Sequence, residues 1–143
     1  MKQLLIILLF LLSSMSFAQK PMVGFTQEEI KHRNRLEFKI TEWDVIRQDE
    51  YWVMYTASPY LDMTTFYFFR YGGTKNFLAS HSTKDDDVAV RLYHSIMKSH
   101  HHLGDNKFLS KENNLICEYN FYKETSTHSF IYFTPEGKNI FKN

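Results

Sequence analysis

Cysteine is almost missing from this chain. Cys117 stands alone among 143 residues, so no disulfide can close within the molecule. Glycine and proline are few, at five and three residues, and no low-complexity tract, internal repeat or interdomain linker interrupts the sequence. Charge of one sign is not in excess. The 17 basic residues face 16 acidic ones, which leaves no electrostatic footprint for nucleic acid or an anionic membrane surface. No stretch is apolar for long enough to span a bilayer. A G-x-S-x-G elbow, an H-E-x-x-H helix, a phosphate loop and a dinucleotide fingerprint are all absent, so none of those chemistries is signalled. There is no Asn-x-Ser/Thr sequon, in keeping with a bacterial source.

What is present begins with Lys2, the unbroken apolar run Leu4 to Leu12, and the small residues Ser16 and Ala18 on either side of Phe17. A basic start, an apolar middle and small residues at −3 and −1 predict a secretory signal peptide over residues 1–18, cleaved before Gln19. The apolar run is roughly half the ~20 residues of a spanning helix, which favours cleavage over anchoring. Gln19, not cysteine, follows the cut, so bacterial-type lipidation there is excluded. The expected product is exported, periplasmic or secreted, without a transmembrane segment. Removing residues 1–18 would leave 125 residues and an even balance of 16 basic and 16 acidic side chains. That length suits a single small domain over 19–143, large enough to fold without staples.

Thr26-Gln27-Glu28-Glu29 reads as a capping box, with Phe25 and Ile30 placed as its hydrophobic staple, and predicts a helix to about Arg35. Strand character follows, ragged from Phe38 to Ile46 and clearer from Tyr51 to Thr56. Ser58-Pro59-Tyr60 breaks it, and Thr64 to Tyr71 is the strongest strand in the chain. Gly72-Gly73 then predicts a hairpin returning over Lys75 to Ser80, with Phe68 opposite Phe77 and Phe66 opposite Ala79. A second helix should open on the Thr83 hydroxyl and the acids Asp85, Asp86 and Asp87. It would carry Val88, Leu92 and Ile96 as its apolar stripe and close through His100–His102 and Gly104. Residues 105–113 read as irregular. Asn114 to Tyr122 and His128 to Thr134 read as a last hairpin with Tyr122 opposite His128 and Cys117 opposite Phe133. Together these predict an α+β domain: an antiparallel sheet of about five or six strands with two helices packed against it.

Three groups of residues invite a chemical reading. His94, His100, His101 and His102 carry the ligand chemistry of a zinc or copper site, although consecutive residues at a helix end point in different directions. Their placement near the positive-charge-favouring end of a helix is the ordinary explanation. Cys117, on the apolar side of a strand, reads as a small buried hydrophobe. The aromatic load is heavy, with 22 of the 24 aromatic residues lying after residue 18, and it occupies both sides of the strands. A small antiparallel sheet keeps one face wet unless something covers it. Aromatics on both faces therefore imply either helices over the second face or a contact surface.

The reading that follows is an exported, non-enzymatic binding protein with no resident cofactor. It would use an aromatic-rich sheet face, with Trp52, Tyr67, Phe69, Tyr122 and Tyr132, to hold a protein partner or an apolar ligand. Two alternatives belong to other classes. One is a zinc- or copper-binding protein built on His94 and His100–His102, and the other is a small enzyme with a dispersed site that leaves no local motif.

Overall fold

The computed structural model describes residues 21–58 and 61–135. The expected signal peptide lies outside the described residues, as do Pro59 and Tyr60 of the expected break. No helix of the described residues is long and apolar enough to cross a membrane.

Helix α1 (Gln27–Phe38) starts at Thr26, whose side chain accepts from the Glu29 N–H while Glu29 accepts the Thr26 N–H at 2.8 Å. This is the reciprocal satisfaction of free N–H groups that the sequence predicts. The helix runs three residues past Arg35 and ends where Lys39 turns left-handed, at φ 57°. Strands β1 (Asp44–Arg47), β2 (Tyr51–Ala57), β3 (Thr64–Arg70) and β4 (Asn76–Thr83) follow as an antiparallel meander. Helix α2 (Asp86–Ser99) is capped by Asp85, whose carboxylate accepts from the Asp87 and Val88 N–H groups at 2.9 and 3.0 Å. The Thr83 hydroxyl is not the cap; it accepts from the Asp85 N–H, two residues ahead of the cap. A second meander completes the chain: β5 (His100–Gly104), β6 (Lys107–Ser110), β7 (Ile116–Tyr122) and β8 (Thr127–Phe133).

The eight strands form one antiparallel sheet in the order β1-β2-β3-β4-β8-β7-β6-β5. The expected α+β class with two helices stands; the expected five or six strands become eight. The additional ones come from residues 100–110. His100 leaves the helix with extended backbone (φ −128°, ψ 157°), and Gly104 and Asp105, both at positive φ, turn the chain back into β6. The histidine run is thus an edge strand, not a helix end. The topology also contains a repeat the sequence does not display, one helix followed by four meandering strands, used twice. The two copies meet through their last strands, β4 and β8.

Cross-strand register places six residues in a continuous row: Met54, Tyr67, Ala79, Tyr132, Cys117 and Phe108. All six are buried, because both helices lie over this face. Ile30 of α1 packs with Met54, Tyr67, Phe69 and Ala79, while Val88, Leu92 and Ile96 of α2 pack with Phe108, Cys117, Phe130 and Tyr132. Asn34 is buried there too, donating to the Ile30 carbonyl and the Tyr67 hydroxyl. The opposite face carries no helix among the described residues.

Both hairpin registers are one residue away from expectation. Phe68 faces Leu78 and Phe66 faces Ser80, with a bulge between Phe68 and Phe69. Tyr122 faces Thr127, and Cys117 faces Tyr132. Because side chains alternate, a slip of one residue exchanges the faces of a whole strand. Phe130 and Tyr132 therefore belong to the helix-covered side, and Ile131 and Phe133 to the open one.

Candidate functional site

The open face holds a groove of about 680 Å³ over strands β3, β4, β8 and β7. Its shape follows from residue size. The central strands contribute the small side chains of Ser80, Ser82 and Ser129, while Phe66 and Phe68 on one flank and Tyr122 on the other stand taller. Three register rows cross it and grade its polarity. Phe68, Leu78 and Phe133 form an apolar row. Phe66, Ser80, Ile131 and Glu118 form a mixed one. Ser82, Ser129 and Asn120 form a polar one. Ser129 ties the floor together, with its Oγ 3.0 Å from Ser80 Oγ and 3.4 Å from Ser82 Oγ. The flank is braced from outside by the Tyr55–Phe66 stack (centroids 5.5 Å apart) and by Tyr51 against Phe68 at 5.9 Å.

The five aromatics singled out from the sequence do not share a surface. Tyr67, Phe69 and Tyr132 are buried under the helices, and Trp52 is half-buried beside them, stacked on Phe69 at 4.2 Å and 7°. Burial pushes the Tyr67 phenol up to about 12 and the Tyr132 phenol well above its usual value. These four are core side chains in this fold. Tyr122 alone lies on the open face, at one margin of the groove, and is exposed. The serines of the floor escaped sequence reading because they sit on β4 and β8, strands from the two halves of the chain.

The histidines also part company. His94 is exposed on α2, and His101 is exposed on β5. His102 is bonded through Nε2 to the Asp105 carbonyl, and His100 through Nδ1 to Ser99 Oγ. His100 Nε2 is buried with no hydrogen-bond partner, and burial holds this imidazole below its ordinary pKa. Among the described residues, no three His, Cys, Asp or Glu side chains are grouped to hold a metal ion. Cys117 is fully buried, and its thiol is pushed up to about 12, which keeps it un-ionised at neutral pH.

A second, smaller cleft of about 260 Å³ lies beside α2, lined by Tyr93, His94, Tyr119 and His128 with Ala89 and Val90. His128 Nε2 donates to Asp86 Oδ1 at 2.8 Å, and the Tyr119 hydroxyl meets His128 Nδ1 at 2.9 Å. When the imidazole is neutral with its proton on Nε2, Nδ1 accepts and the phenol is the donor. Burial, aided by Tyr93 and the Asp86 charge, raises the Tyr119 pKa and keeps that proton in place. The chain ties the first turn of α2 to both strands of the last hairpin. Its Asp86 end is open to water, at 89% side-chain exposure.

No family model matches the chain, and no curated protein or solved structure matches it significantly.

Proposed function

We propose that this is an exported, non-enzymatic binding protein whose helix-free sheet face holds a small apolar ligand. One observation carries the reading: both helices cover the same face, so the aromatic residues of the other face line an open groove. At about 680 Å³ the groove falls within the roughly 300–1,000 Å³ of ordinary small-molecule sites, which are mostly apolar with a few placed polar groups. Phe66, Phe68, Leu78, Ile131 and Phe133 supply the apolar surface, and the three serines supply the polar groups. A concave groove with apolar walls and a few polar groups favours a small molecule over the protein partner that the aromatic strands alone also allow.

The test is a titration of the purified protein with the neutral fluorescent probe N-phenyl-naphthylamine. Saturable binding that Phe66→Ala and Ile131→Ser weaken by about tenfold, with unchanged circular dichroism, supports the groove. Binding that both variants leave intact would refute it. Native mass spectrometry of untagged protein from the host's exported fraction should give a mass beginning at Gln19 with a small molecule attached. A co-purifying protein would favour the partner reading.

A further inference from the structure

We propose that the ligand is a single-chain amphiphile with a cationic head, and that Glu118 selects it. The inference rests on the groove reading above. Among the described residues, Glu118 is the one charged side chain lining the groove, and no Lys, Arg or His lines it. It stands on β7 between Ile131 of the groove and Lys107 of β6, in the mixed middle row. Lys107 offsets its charge only in part. The Nζ–Oε2 separation is 3.9 Å and both side chains are about a third exposed, the geometry of a weak, screened surface pair. Asn120 donates to Glu118 Oε1 at a long 3.5 Å. The carboxylate therefore keeps most of its acceptor capacity for a donor arriving in the groove.

The polarity gradient sets the orientation. A hydrocarbon chain lies over Phe66, Phe68, Leu78 and Phe133, and the head reaches Glu118, Asn120 and the serine floor. A carboxylate head would meet a like charge, only partly offset by Lys107, beside apolar walls that strengthen charge interactions relative to water. A neutral head would take hydrogen bonds from the serines but gain nothing from the charge. The chain's balance of 17 basic and 16 acidic residues adds no long-range preference, so selection is local.

The experiment displaces bound N-phenyl-naphthylamine with decylammonium, decanol and decanoate below their micellar concentrations, at neutral pH. The expected order is decylammonium, then decanol, then decanoate, with about tenfold between the two ions. In Glu118→Gln that ratio should fall to about one while decanol affinity stays unchanged. Lys107→Met, which removes the competing ammonium, should widen the ratio and serves as the second variant if Glu118→Gln is unstable. Equal binding of the two ions to the wild type, or a ratio that survives Glu118→Gln, would overturn selection by Glu118 while leaving the groove standing. If none of the three chains displaces the probe, the groove reading falls and this inference with it.

Discussion

Alanine at Phe69 and alanine at Phe66 should have sharply different costs, although the two residues lie three apart on the same strand. Phe69 is 1% exposed and stacked against Trp52 beneath α1. Removing a ring from such a site costs the lost burial and leaves a cavity, about 3–5 kcal/mol. Phe66 lies on the open face, half-buried, with one partner ring, Tyr55, 5.5 Å away. Its truncation forfeits only part of a buried side chain's worth, about 1–1.5 kcal/mol. Against a total stability on the order of 5–15 kcal/mol, the first is severe and the second mild. With a urea slope of about 1.5 kcal/mol/M, the midpoint should fall by about 2–3 M for Phe69→Ala and by about 1 M or less for Phe66→Ala. Urea titration followed by tryptophan fluorescence reads both, and Phe69→Leu gives a graded value if the alanine variant is unfolded from the start. Equal shifts, or a larger shift for Phe66, would mean that the face assigned as open is covered, and the argument from an exposed groove would be wrong.

Cys117 should resist iodoacetamide in the native protein and react once urea unfolds it, because its thiol is buried and pushed up to about 12; fast native labelling would contradict that burial. Acid should destabilise the fold partly through His100. Burial lowers its pKa from 6.5, so below that pH the unfolded chain takes up a proton the folded one refuses, and stability falls as pH falls. His100→Gln should flatten the decline of melting temperature between pH 8 and 5, and an unchanged slope would refute the assignment. Asp85→Ala should cost about 1 kcal/mol by freeing the Asp87 and Val88 N–H groups, whereas Asp87→Ala should cost a few tenths or less; equal losses in thermal melts would return the cap to another residue.

Local chemistry was legible in the sequence and register was not. The Thr26–Glu29 box and the Val88-Leu92-Ile96 stripe are decided within one or two turns of chain, and both appear as expected. The last hairpin depended on a loop length. The turn is Lys123–Ser126, with Ser126 left-handed at φ 51°. Serine does not advertise that conformation as glycine or asparagine would, so the loop reads one residue too long. That slip put Phe130 and Tyr132 on the wrong side. In the other hairpin, the bulge at Phe68/Phe69 shifted the partners of Phe66 and Phe68 by one. The groove inherits the difficulty, since its floor exists only where β4 meets β8. The alternations Leu78-Ser80-Ser82 and Ser129-Ile131-Phe133 were visible, but nothing local says that they lie side by side.

The β4–β8 ladder also dictates an order of events in the making of the molecule. The first helix and its four strands are complete by Thr83, yet one side of β4 has no neighbour until Thr127–Phe133 has also been made. During that interval the chain carries a bare strand edge, the kind of template that recruits foreign strands. Strand β8 both closes that edge and joins the two halves, so a chain truncated before Thr127 would lose the seam as well as the floor of the groove and would keep the β4 edge bare.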